Sequence, residues 1–116
     1  MSRIVHVDNS EFFRKLMKTF LSELGHESEN FSRGEDAVNK VKAGKADWVI
    51  TGLSLADMGG EEFIKRLAVS AQLVPVIVVT SSDEEAQHKR LDALGVKAVI
   101  QKSGDWKDTL AQQLAG

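Results

Sequence analysis

Five short strand-like runs alternate with five segments of helical spacing, and this alternation leaves the chain little choice of architecture. The runs are Ile4–Val7, Glu27–Phe31, Trp48–Thr51, Pro75–Thr80 and Ala98–Gln101. Most are apolar nearly throughout, as strands covered on both faces must be. The second is different: its glutamates suit an edge strand, where charge discourages pairing with another molecule. Pro75 opens the fourth run, where a missing N–H does least harm. Parallel strands need helical crossovers, so the alternation predicts an α/β fold: a doubly wound parallel sheet with helices on both faces. The flavodoxin-like order 2-1-3-4-5 is carried over from known five-stranded folds of this size rather than read from the residues.

The intervening segments each carry an apolar stripe. Phe12, Leu16, Phe20 and Leu24 repeat every four residues, Phe13, Met17 and Leu21 fill the adjacent row, and Gly25 is a natural stop. Ser32 and Glu35 have capping-box spacing and open a helix with Ala37, Val38 and Val41 inward, closed by Gly44. Phe63, Ile64 and Leu67 mark the third helix. Ser82 and Glu85 repeat the capping-box spacing before a thinly apolar helix of Ala86, Leu91, Ala93 and Leu94, predicted to dock loosely. Trp106, Leu110 and Leu114 make the last helix.

At 116 residues the chain is predicted to be one domain spanning residues 1–116, without linker, low-complexity tract or further repeat. Its net charge of −2 gives no electrostatic reason to expect nucleic acid. There is no cysteine, hence no disulfide frame or thiolate metal site. The longest apolar run, Leu73 to Val79, is too short to span a bilayer, and the N-terminus lacks the apolar core of a signal peptide. Cytoplasm is the expected compartment.

The strand ends carry the chemistry. In a doubly wound sheet, ligands gather beyond the carboxyl ends of the strands. In the expected order, Asp8-Asn9, Gly52, Thr80-Ser81 and Lys102-Ser103 converge on one edge. This ordered set, with its spacing along the whole chain, resembles the receiver domain of bacterial response regulators in two-component signalling and phosphorelays. In that family an acidic pair follows the first strand and a phosphate-accepting aspartate ends the third. A Thr or Ser ends the fourth, and a lysine, usually followed by proline, ends the fifth. Thr80 and Lys102 match. Asn9 replaces the second acid, Gly52 stands at the acceptor position, and Ser103 stands where proline is usual. The loop often written M-P-x-M-D-G reads Leu55-Ala56-Asp57-Met58-Gly59-Gly60 here.

These departures bear on function. Aspartyl phosphorylation needs a carboxylate nucleophile, and Gly52 has none. The family reaction needs Mg²⁺, which favours clustered carboxylates, whereas only Asp8 keeps its charge here. Mg²⁺ binding is therefore expected to be lost, with an Asp8–Lys102 interaction in the metal's place. Val99 occupies the position at which the family's switch aromatic changes rotamer, so the linked two-state switch is expected to be lost too.

The resemblance thus implies a degenerate pseudo-receiver, not an enzyme, that acts by phosphorylation-independent protein–protein interaction. Its expected partners are signalling proteins, with no membrane and no nucleic acid contacted by this domain. The family's usual partner face maps here onto Gln87, His88, Arg90, Lys97, Gln101 and Asp108. Two other functions stay open: phosphorylation at a non-standard residue such as Asp8 or Asp57, and sensing of a small anion in the space vacated at Gly52 beside Lys102. Simpler roles compete at single residues. Thr80 can cap a strand end, Lys102 can be an ordinary strand-end lysine with its stem buried, and Asp57 can form a turn. Glu61-Glu62 complements a helix dipole, His6 is read as a packed strand histidine, and Trp48 and Trp106 as packing residues.

Overall fold

The β-branched run after Met1 becomes β1, Arg3–Val7, and the pattern repeats along the computed structural model: α1 Glu11–Glu23, β2 Glu27–Phe31, α2 Gly34–Lys42, β3 Trp48–Thr51, α3 Gly60–Ser70, β4 Val76–Thr80, α4 Glu85–Ala93, β5 Ala98–Gln101 and α5 Trp106–Ala115. The structure describes residues 1–70 and 73–115. The strands form one sheet in the order β2-β1-β3-β4-β5, every pair parallel. The acidic run lies at the edge, as its charges require, and β4, with all five residues buried, lies inside.

The period of two along the strands divides the core into two layers. Val5, Val7, Val49, Val76 and Val78 face α2, α3 and α4. Ile4, Ile50, Ile77, Val79 and Ile100 face α1 and α5. Each fully buried side chain of this size contributes about 1.5–3 kcal/mol relative to exposure, so the two layers supply the main driving force. Pro75 stands just outside β4, but its carbonyl still accepts the Val49 N–H, so the missing donor costs the ladder nothing.

Two expectations about the helices are corrected. The α1 stripe is narrower than predicted: Phe13, Met17 and Leu21 are buried, but Phe12 is 77% and Leu24 40% exposed. Both lie at the ends of the outer row, while the adjacent row faces the core. Neither predicted capping box forms either. Helix α2 begins after Arg33 and α4 after Glu84, each without a cap from the predicted serine. Helix α1 does have a side-chain cap, since Ser10 Oγ accepts the Phe13 N–H at 3.1 Å. Gly25 and Gly44 end α1 and α2 with φ of 87° and 79°, a region open to glycine at little cost. Leu91 is the one buried residue of α4, in line with its thin stripe.

Candidate functional site

Each strand of this sheet points its carboxyl end to the same edge, and the sheet order sets β1 beside β3 and β4 beside β5 there. Asp8 is therefore beside Gly52: the Gly52 N–H donates to the Val7 carbonyl at 2.9 Å. The Lys102 N–H donates to the Thr80 carbonyl at 2.6 Å and ties the ends of β4 and β5 together.

Asp8 is only 4% exposed, and its carboxylate is fully engaged. Oδ1 accepts the Ser10 N–H at 2.9 Å, and Oδ2 accepts from Lys102 Nζ at 2.9 Å. Lys102 also stands 3.9 Å from the Phe13 ring centroid, so α1 supplies an aromatic seat for the cation. Arg14 Nη1 donates to the Asp8 carbonyl at 2.9 Å and adds a second positive charge to the rim.

Gly52 is not among the glycines with positive φ, so what it provides is room. A Cβ built there would stand 2.6 Å from Asp8 Oδ2 and 3.1 Å from Asp8 Cγ. The aspartate carboxylate has taken the space that a side chain at position 52 would use. Gly60, at the start of α3, has a similar need: a Cβ there would collide with the Gly52 carbonyl, while its N–H caps the Leu53 carbonyl at 2.9 Å.

The remaining predicted site residues are spread around this pair. Asn9 is exposed, and its N–H donates to the Ser54 carbonyl at 3.3 Å. Thr80 is buried, and its Oγ1 accepts the Ser82 N–H at 3.0 Å, which is the strand-end capping role. Val99 is half-buried at the margin of the α2–α4 layer. On the expected partner face, Gln87 is half-buried, and Lys97, Gln101 and Asp108 are exposed. Two residues of that face, half-buried His88 and exposed Arg90, are tied to neighbouring elements. A nitrogen of the His88 ring lies 3.0 Å from the Ser82 carbonyl, and Arg90 makes a forked pair with Glu61 of α3, at 3.1 and 3.4 Å. The hydrogen bond and charge of Glu61 raise the Arg90 pKa further.

Asp57 has a role that sequence reading missed. Its carboxylate accepts the Gly34 N–H at 2.7 Å and the Glu35 N–H at 3.1 Å, capping α2 from another loop. Desolvation pushes its pKa up, but these N–H donors and Arg33 outweigh that and hold it below the ordinary value. The capping partners lie 23 and 22 residues away, so no local spacing reveals them.

His6 is fully buried on β1, its Nδ1 2.8 Å from Asn30 Oδ1, as a packed strand histidine should be. Burial lowers its pKa from 6.5 to about 4, against the opposing pull of Asn30 and Asp8. Its Nε2 and Asn30 Nδ2 are buried without partners.

The donor set does not fit a Mg²⁺ site of the family kind. Position 52 offers no side-chain oxygen, and Asp8 Oδ2 is already bound by an ammonium group. The charge that would attract the ion is met by the chain's own lysine.

A doubly wound sheet with polar strand ends gathered at one edge defines a flavodoxin-like α/β domain with a strand-end site. The response regulator receiver domain family matches over residues 4–114, and the chain belongs to that family: it is a signal receiver domain of two-component systems. It is 29% identical over 102 residues to a protein-glutamate methylesterase/protein-glutamine glutaminase of Bacillus licheniformis, covering 85% of this chain and 28% of that protein. It is 29% identical over 83 residues to the alkaline phosphatase synthesis transcriptional regulatory protein PhoP of Bacillus subtilis, covering 72% of this chain and 35% of that one. The chain thus spans well under half the length of either relative. In structure it resembles the Vibrio cholerae chemotaxis protein CheY4, with a TM-score of 0.85 at 24% identity over 99% of this chain and 97% of the other. The Leptospira biflexa HemR receiver domain gives 0.87 at 21% identity, over 99% and 93%. Among the described residues, no helix is long and apolar enough to cross a membrane.

Proposed function

We propose that this receiver domain works without phosphotransfer, as a pseudo-receiver that recognises a protein partner through α4, β5 and α5 in the cytoplasm. The observation that carries this reading is the Asp8 carboxylate lying over Gly52 and paired with Lys102. An internal ammonium group takes the place of a bound cation, and the acceptor's space is filled. The partner face is braced in one arrangement by Thr80 and His88 on Ser82 and by Arg90 on Glu61. Val99 has no ring to move between buried and exposed positions.

The two other functions have less to stand on. Asp57 uses both carboxylate oxygens on α2, and Asp8 uses both on Ser10 and Lys102. The space at Gly52 offered to an anion is occupied by a carboxylate.

The test is affinity capture of a partner by the unmodified chain, with and without acetyl phosphate and Mg²⁺. The expected result is the same partner bound equally in both conditions, and lost on Lys97→Glu combined with Gln101→Arg. A partner retained only after the phosphoryl donor is added overturns the proposal.

A further inference from the structure

The opposite edge of the sheet carries a basic concavity that the signalling pocket does not use. It has a volume of about 550 Å³ and wraps the edge strand β2 between α1 and α2. Arg3, Lys18, His26, Lys40 and Lys45 line it, with Ile4 and Val5 as an apolar floor. Against these stand Glu27 and Glu29. With His26 neutral the lining has a surplus of two positive charges, on a chain whose net charge is −2.

The edge strand itself is guarded against strand addition. The Glu27 N–H points to β1, donating to the Ser2 carbonyl, so Ser28 points outward. The Ser28 carbonyl is met by Lys18 Nζ at 3.4 Å, so the acceptor that an added strand would pair with is already taken. Recognition here must therefore run through side chains. Arg3–Glu27 at 3.8 Å is an exposed surface pair and Lys40–Glu29 at 3.0 Å joins a half-buried lysine to an exposed glutamate, pairs worth little and open to exchange. Lys18 and Lys45 are exposed and stand outside the ion pairs among the described residues. The cations come from separate elements on both sides of β2, and most are lysines, which act as flexible point charges. That spread suits several spaced carboxylates better than one phosphate, which is matched by a converging arginine fork.

We infer that this groove binds an extended acidic segment of a protein partner, with glutamate or aspartate side chains displacing Glu27 and Glu29 from Arg3 and Lys40. The surface lies at the β2 edge, away from β5, so it stands or falls separately from the partner face above.

The experiment is an amide NMR titration of the full chain with three probes: an octapeptide alternating glutamate and serine, its glutamine counterpart, and inorganic tripolyphosphate. The glutamate peptide is expected to shift Lys18, Ser22, Ser28, Lys40 and Lys45 saturably and to weaken with added salt. Lys18→Glu with Lys45→Glu, both exposed positions, should lower its affinity by about tenfold or more while circular dichroism stays unchanged. Any of these results overturns the inference: no saturable shift, equal binding of the glutamine peptide, unchanged affinity in the double variant, or concentration-dependent self-association through β2. Tighter binding of tripolyphosphate than of the glutamate peptide also overturns it, in favour of a small polyanion.

Discussion

Lys102 Nζ lies 2.9 Å from Asp8 Oδ2, joining the end of β5 to the end of β1 across the carboxyl edge of the sheet. The Asp8 side chain is 6% and the Lys102 side chain 22% exposed, so the pair is partly desolvated. Removing one partner of such a pair costs more than the pair contributes, because it strands the other charge. Lys102→Met keeps an apolar contact with Phe13 but leaves Asp8 unpaired. It is expected to lower stability in urea unfolding by about 2 kcal/mol, discounted for the lysine's exposure. Adding Asp8→Asn should recover most of that loss. Unchanged stability in the single variant would mean the pair is fully screened by water.

His6 sets a pH dependence. Its folded-state pKa, about 4, lies below the unfolded value of 6.5. The neutral form is favoured by folding, so this contribution is fully present above pH 6.5 and is lost as pH falls from 6.5 toward about 4. Across that window the loss approaches roughly 3 kcal/mol. His6→Leu should be less stable at neutral pH, since Asn30 loses its partner, yet show a flatter stability curve between pH 6.5 and 4. Parallel curves for the two proteins would remove His6 as the titrating group.

Asp57 holds the loop after β3 to the start of α2. Asp57→Ala removes a two-donor cap and should cost about 1–2 kcal/mol at neutral pH. Its folded pKa is depressed below 3.8, so the cap's contribution is complete above 3.8 and fades as pH falls through the folded value. The gap between wild type and variant in thermal unfolding should therefore close in strong acid. A gap that persists there would assign the effect to packing rather than charge.

Much of the fold was legible because one physical signal repeats. Strand runs such as Val76–Thr80 are apolar on both faces, and the βα alternation admits few topologies. Apart from the expected Asp8–Lys102 contact, the site was legible as positions rather than contacts. Asp8, Gly52 and Lys102 could be set at one edge from strand ends alone. That the carboxylate occupies the empty acceptor space depends on side-chain rotamers, which no spacing encodes. Ser32 and Ser82 failed as caps for a related reason. The serine–glutamate spacing is local, but α2 recruited Asp57 from a distant loop, and the Ser82 hydroxyl accepts the Glu84 N–H at 3.3 Å, ahead of the first turn of α4. Phe12 misled because two adjacent apolar rows share the first turn of α1 and only the row of Phe13 faces the core.

Phosphoryl donors and Mg²⁺ should leave the wild-type chain unchanged. With Asp8 Oδ2 bound to Lys102 and no carboxylate at position 52, low-millimolar Mg²⁺ should give no saturable fluorescence change from Trp48. Acetyl phosphate should add no mass, and beryllofluoride should shift no amide. Saturable shifts centred on Asp8, Asn9 and Leu53, or one added phosphoryl group mapped to Asp8, Asp57 or Thr51, would restore a phosphorelay role.

Gly52→Asp tests fold and function together. From the sequence, the new carboxylate is expected to enter the pocket at a cost on the order of 1 kcal/mol, since charge repulsion from Asp8 is offset by Lys102. The geometry raises that cost. The new Cβ would stand 2.6 Å from Asp8 Oδ2, so Asp8 must rotate away and give up its bond to Lys102. A destabilisation of about 2–3 kcal/mol in urea is expected, from a displaced and partly desolvated ion pair. Adding Asn9→Asp then assembles three carboxylates at the edge, whose mutual repulsion a divalent cation relieves. The double variant should bind Mg²⁺ in the millimolar range, and Mg²⁺ should raise its melting temperature while leaving that of wild type unchanged. Phosphorylation by acetyl phosphate should return at a low level. Partner affinity should not respond to it, because Val99 still offers no ring to couple the pocket to α4, β5 and α5. If the double variant binds Mg²⁺ no better than wild type, the three positions do not converge into a cation site. If it binds Mg²⁺, accepts the phosphoryl group and then changes its partner affinity, the switch was never lost, and only its trigger was.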